Sequence, residues 1–272
     1  MRKNLITAAL AMLVSLTGAP LRATTAAVGG SPSASSGADL SGPRKTINVD
    51  RIAAEKAGVS LDVLQLATNA VSCGVASGDL QAPPTLTLID YSLPSTRQRL
   101  WVFDLHTGKM LFNELVAHGR NSGDNMATRF SDAMESRESS IGLFRTADAY
   151  TGHNGYSLRL DGLEPGFNGN ARDRAIVMHG APYVNEAVAK SNGRLGRSWG
   201  CPALREAVAR NVIDTVRGGG VIFSYYPDET WLKTSRFLNC RVQPASALSA
   251  TAVRRSLGEG GKDPASTTVA TH

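Results

Sequence analysis

Cysteine is scarce in this sequence: three in 272 residues, none of them before Cys73. A start processed to a lipid-anchored cysteine is therefore not expected. No apolar run reaches the roughly 20 residues that a bilayer-spanning helix needs. No internal repeat is visible, which sets solenoids and propellers aside. A concentrated basic face is also missing. The net charge of +6 sits at the ends, with +4 in residues 1–45 and +2 in 241–272, and residues 46–240 balance twenty basic against twenty acidic side chains. A nucleic-acid partner is not expected of a neutral body. His106, His153 and His179 fit no metal-ligand spacing, so no metal site is expected. Gly218-Gly219-Gly220 follows a helical pattern instead of opening one, which excludes a phosphate loop.

What is present is globular in composition, with 42% hydrophobic and 19% charged residues, so wholly disordered and collagen-like chains are excluded. Arg2 and Lys3 precede an apolar run, Leu5–Leu16, then Gly18, Pro20 and small residues around Ala23–Ala27. These are the parts of a secretory signal over residues 1–26. The expected location is periplasmic or secreted, with no stable membrane anchor after signal removal. Residues 27–45 read as a flexible leader and 241–272 as a disordered tail. Between them, residues 46–240 form one domain. An odd cysteine count in an oxidising compartment leaves one thiol unpaired or paired between chains. The economical arrangement bridges Cys73 to Cys240 and leaves Cys201 free; the alternative is that both are inert buried thiols. A bridge requires Cα atoms within about 7 Å.

Apolar positions Ile52, Ala53, Leu61, Leu64, Ala67 and Val71 recur at helical spacing, broken at Gly58, with Ser60 a cap for the second helix. After Pro83-Pro84 the period shifts. Thr85–Tyr91, Leu100–Leu105, Met110–Val116, Gly142–Ala147, Ser157–Leu160 and Ile176–Met178 read as short strands. His106–Lys109 reads as a tight turn, Glu206–Val216 as a helix, and Val221–Tyr226 as a last strand.

The strand ending in His179-Gly180 is followed, nineteen residues after His179, by Ser198-Trp199-Gly200-Cys201-Pro202. Acyl transfer through sulfur needs a thiolate, a base, a group that orients the base, and donors for the oxyanion. Cys201, ahead of a helix and among basic side chains, is the nucleophile candidate, with its thiol expected to be acidified by both. His179 is the base candidate. Gly180 and Gly200 allow close approach of backbone, and the N–H groups of Gly200 and Cys201 are candidate oxyanion donors. Tyr183 and Asn185, in the loop after His179, read equally as substrate contacts or as lid and packing residues.

The sequence His-Gly, a gap, then Ser-x-Gly-Cys resembles the signature of murein L,D-transpeptidases with the YkuD-like fold. The likeness extends over Val116–Gly123, Gly155–Glu164, Ala175–Ala181 and Gly193–Leu204, in order, covering roughly 80–238. The resemblance implies a mainly β domain of mixed sheets or β-sandwich form with short peripheral helices. It also implies an exported enzyme acting on peptidoglycan stem peptides without a cofactor. By carry-over, Cys201 attacks, His179 is the base, the Gly180 carbonyl orients its ring, Gly200 and Cys201 form the oxyanion hole, and Ser198 positions the loop. Substrate-contact candidates are Arg197, Arg194, Trp199, Tyr183 and His118, with Arg205 a further carboxylate reader and His118 equally a structural residue. Trp199 stands where the best-known members carry a second His, and Pro202-Ala203 follows the cysteine where they have an apolar residue and Arg or Asn. Two rivals keep the fold: an L,D-carboxypeptidase, with water as acceptor, and a non-catalytic wall-binding module. A papain-like protease is disfavoured because there the Cys precedes the His.

Overall fold

Two helices open the part of the chain that the structure, a computed structural model, describes: residues 47–240. The expected signal, leader and tail lie outside the described residues. Helix α1 (Arg51–Lys56) is capped by Asp50, whose carboxylate accepts from Ala53 N. Helix α2 (Leu61–Ala76) is capped by Ser60, as its sequence suggests. Nine strands follow: β1 (Thr85–Asp90), β2 (Leu100–Asp104), β3 (Met110–Glu114), β4 (Val116–Ala117), β5 (Gly142–Gly152), β6 (Gly155–Gly162), β7 (Val177–Ala181), β8 (Ala203–Arg205) and β9 (Val221–Tyr225). Helices α3 (Glu186–Asn192), α4 (Glu206–Val216) and α5 (Glu229–Thr234) lie between or after them.

All nine strands join in one mixed sheet, in the order β3-β2-β1-β9-β5-β6-β7-β8-β4. Six of its pairings are antiparallel; β1 with β9 and β7 with β8 are parallel. The central strands are buried on both faces, and alternation sorts their side chains. Leu86, Leu88, Trp101, Phe103, Val221 and Phe223 pack with α2, Trp231 and Phe237. Ile89, Leu100, Val102 and Ile222 pack with α4 through Val212, Ile213 and Val216. A one-residue slip would exchange those two cores. Cys73, on α2, is joined to Cys240 with Cα atoms 6.2 Å apart, and Cys201 is a free thiol.

Several boundaries differ from the sequence reading. β5 runs past Ala147 to Gly152, and β6 starts at Gly155, before Ser157, because the two form a long hairpin whose tip is exposed. Helices α3 and α5 and strand β8 carry too few apolar residues to show a period. β8 has a further consequence: it stands between Cys201 and α4.

Candidate active site

β7 presents His179, which is paired to Ser157 of β6 on one side and to Ala203 of β8 on the other. Its ring is fixed by a 2.8 Å hydrogen bond between Nδ1 and the Gly180 carbonyl. A carbonyl only accepts, so Nδ1 carries the proton and Nε2 is left with the free lone pair. Burial lowers the His179 pKa from 6.5, opposed by that bond. The ring is therefore neutral at neutral pH, as a general base must be.

The turn Ser198–Cys201 leads into β8 and is braced from three directions. Ser198 N donates to His118 O at 3.0 Å, and Arg120 N donates to Ser198 O at 2.8 Å. The Ser198 hydroxyl donates to Cys201 O at 2.6 Å and accepts from Gly200 N at 3.1 Å. Ser139, on the loop 131–140, donates to Gly200 O at 3.0 Å and accepts from Gly119 N at 3.0 Å. The contact is tight enough to exclude a side chain. A Cβ at Gly200, where φ is +122°, would lie 2.7 Å from Glu138 O and 2.9 Å from Ile176 Cδ1. One at Gly119 would lie 2.9 Å from Ser139 N. Glycine is required at both.

Cys201 is only 7% exposed. Its sulfur accepts from Val177 N at 3.4 Å and lies 3.8 Å from Ala175 O, beside the strand that carries His179. No hydrogen bond joins the Cys201 and His179 side chains among the described residues. Ala175 holds a left-handed φ of 53°, a strained conformation of the kind that clusters at functional sites. The expected acidification of the thiol is corrected. Burial pushes it up from 9.0, outweighing the Val177 N–H and the Arg174 charge, which pull it down. In the chain, the three residues of β8 intervene between Cys201 and α4.

The model of the L,D-transpeptidase catalytic domain family matches residues 55–225, more than half the chain and spanning both His179 and Cys201. The chain belongs to that family. Members act on peptidoglycan stem peptides. Among solved structures, an L,D-transpeptidase from Mycobacterium smegmatis is 15% identical, over 53% of this chain and 59% of that one, with a TM-score of 0.33. An L,D-transpeptidase from Stackebrandtia nassauensis is 14% identical over 62% and 69%, at 0.35. The helical cell shape determining protein Pgp2 from Campylobacter jejuni is 14% identical over 57% and 55%, at 0.34. The chain thus spans under three fifths of the first and third of these structures. No curated protein matches it. No described helix is long and apolar enough to cross a membrane.

Within this L,D-transpeptidase domain, the other expected site residues are distributed unevenly. Gly200 N–H is engaged by Ser198, so of the two expected oxyanion donors only the Cys201 N–H faces the thiol without another acceptor. The surroundings of His118 fit the structural one of its two readings. The residue is 0% exposed, with Nδ1 accepting from Arg99 at 2.7 Å and Nε2 3.4 Å from Gly123 O. Burial and the Arg99 charge hold its pKa down to about 4. Arg197 and Arg194 both turn to Asp124, at 2.9 and 3.9 Å. Arg205 is held by the buried Glu114. Tyr183 packs half-buried on Gly196, and burial pushes its hydroxyl up to about 12. Asn185 caps α3. Trp199, by contrast, is 68% exposed.

The sequence reading missed the braces. Arg174 bonds Ser131 O, Ser140 Oγ, Ser136 Oγ and Glu138 O, at 2.6 to 2.9 Å. It thereby holds the loop 131–140 against the Ser198–Cys201 turn and is a cation felt by Cys201. Arg174 stood out only as one of seven basic residues in 172–210. Arg99 and Ser139 gave no signal, since their roles arise from contacts distant in sequence.

Proposed function

We propose that this chain is an exported cysteine acyltransferase of L,D-transpeptidase type. Cys201 attacks the carbonyl of the third, diamino-acid residue of a donor stem tetrapeptide, and the C–N bond to the terminal D-alanine breaks. His179 Nε2 takes the thiol proton and passes it to the departing D-alanine amine. The resulting thioester is then attacked by an amine of a neighbouring stem, which completes the transfer and regenerates the thiol. The Cys201 N–H is the oxyanion donor that needs no rearrangement. The observation that carries this reading is His179: a neutral, buried ring with its tautomer set by the Gly180 carbonyl, on the strand against which the free Cys201 sulfur rests.

With the thiol raised and the imidazole lowered, the resting pair is neutral. Attack then begins with the sulfur leaving Val177 N–H for another staggered rotamer as its proton moves to Nε2. This predicts an acid limb of kcat/KM with its midpoint below 6.5, the ordinary histidine value, because only protonated His179 is inactive.

Exposure of the full chain to a carbapenem, followed by intact-mass measurement, tests the reading. The expected result is one covalent adduct that Cys201→Ala abolishes. An unmodified wild type would point to the non-catalytic module, which the raised thiol and the missing Cys201–His179 hydrogen bond would then explain. Incubation with tetrapeptide muropeptides decides the acceptor: cross-linked dimers for transfer, tripeptides alone for hydrolysis.

A further inference from the structure

The arginines that the sequence offered as carboxylate readers are occupied: Arg197 and Arg194 by Asp124, Arg205 by Glu114. Arg137 is different. Its guanidinium lies over the Trp199 ring, 4.8 Å from the centroid, and no carboxylate or carbonyl accepts from it among the described residues. Both residues are exposed. Trp199 is two positions from Cys201, and the loop bearing Arg137 is the one laced to the Ser198–Cys201 turn through Ser139 and Glu138.

That loop is held in a costly shape. Glu135 and Arg137 both have φ of 55° without being glycine, a conformation that persists only where surroundings enforce it. Here the enforcement is visible: Asn121 N donates to Arg137 O, and Arg174 grips Ser136 and Glu138 on either side. The strain therefore aims one side chain onto one ring. A tryptophan face steadies a guanidinium by cation–π attraction while leaving its N–H edge open. An open, steadied fork of donors suits a planar carboxylate.

We infer that Arg137, laid over Trp199, is a carboxylate-binding subsite that reads a free carboxylate of the peptide substrate beside Cys201. The inference rests on the reading above that stem peptides are the substrate, and it deepens it.

Calorimetric binding of a stem tetrapeptide to the full chain carrying Cys201→Ala tests it without turnover. Probes are the tetrapeptide with free carboxylates and analogues in which each carboxylate in turn is amidated. Adding Arg137→Gln should weaken binding of the free-carboxylate peptide about tenfold or more, as loss of a charge-assisted hydrogen bond does. Arg137→Lys should recover part of it. One amidated analogue should bind as weakly as that, with no further loss on Arg137→Gln. Arg120→Gln is the control: its side chain is exposed and its brace to the turn is a main-chain N–H that the substitution keeps, so binding should be unchanged. Equal binding with and without Arg137, an equal loss for every analogue, a loss with Arg120→Gln instead, or no detectable peptide binding would each overturn the subsite. Carbapenem adduct formation on wild-type protein is read separately, so failure of the acyltransferase reading is not confused with failure of this one.

Discussion

Glu164 and Arg99 are opposite charges buried in different cores, and neither has an ion-pair partner among the described residues. Glu164 accepts from Leu143 N at 2.8 Å, Trp231 Nε1 at 2.9 Å and Ser235 Oγ at 2.5 Å, which ties α5 to β5. Arg99 donates to Leu93 O, Val116 O and His118 Nδ1 and lies over the Tyr91 ring. Burial raises the Glu164 carboxyl and pulls Arg99 down to about 10, still cationic at neutral pH. Each charge is met by neutral dipoles that it holds in place. The difference lies in what those dipoles belong to. Those around Glu164 belong to the scaffold. Those around Arg99 lead through His118, whose carbonyl accepts from Ser198 N, to the Ser198–Cys201 turn.

Removing either charge should be the largest effect. Glu164→Leu orphans three donors and Arg99→Met three acceptors, so each should cost about 3–5 kcal/mol in denaturant unfolding. Carbapenem acylation per folded molecule should then separate them, falling for Arg99→Met and holding for Glu164→Leu. Equal acylation in the two variants would dissolve the distinction between scaffold and site.

Acid should act on the two sides with opposite sign. His118 titrates at about 4 when folded and near 6.5 when unfolded. As pH falls from 6.5 to 4 the unfolded chain takes up a proton that the folded chain refuses, so stability drops by about 3 kcal/mol and then levels off. Glu164, raised from 4.5, protonates first in the folded state, so the cost of burying its charge is relieved as pH falls. The difference between wild type and His118→Gln, followed by urea unfolding across that window, isolates the first contribution. An unchanged difference from pH 6.5 to 4 would mean that burial and the Arg99 charge do not hold His118 neutral.

The same division explains what the sequence disclosed. Glu206–Val216 and the central strands were legible because period and burial coincide there: Val212, Ile213 and Val216 recur on one face, and Leu86 and Leu88 alternate with Thr85 and Thr87. His179 and Cys201 stood out as candidates because each sits in a short local motif, and the structure sets the Cys201 sulfur against the strand that carries His179. Helix α5 was not, since it is six residues long and its one buried side chain, Trp231, is anchored by Glu164 from 67 positions away. The two readings of His118 could not be separated for the same reason: the guanidinium that holds its ring lies nineteen residues upstream. The acidified thiol failed because the burial that raises it comes from contacts distant in sequence, whereas the basic side chains are visible locally. Contacts that close over long sequence distance leave no periodic trace.

The smallest effect is the sharpest discriminator. Ser139 and Ser235 are both buried hydroxyls serving one of these assemblies. Ser235 donates to Glu164, and Ser139 bridges Gly119 N to Gly200 O. Truncating either to alanine should cost about 1–2 kcal/mol, the range for a buried hydrogen bond left half-made. Stability alone therefore cannot tell them apart. Kinetics can, because Gly200 O is part of the turn that presents Cys201, and a loosened turn misplaces the sulfur and the Cys201 N–H together. Ser139→Ala should slow carbapenem acylation about tenfold at saturating reagent, since small displacements near reacting atoms are costly in rate. Ser235→Ala should leave the rate unchanged at matched folded fraction. If both variants lose the same stability and neither loses rate, the lacing of loop 131–140 to the turn serves the fold alone, and the Arg99 assembly would belong with the Glu164 scaffold.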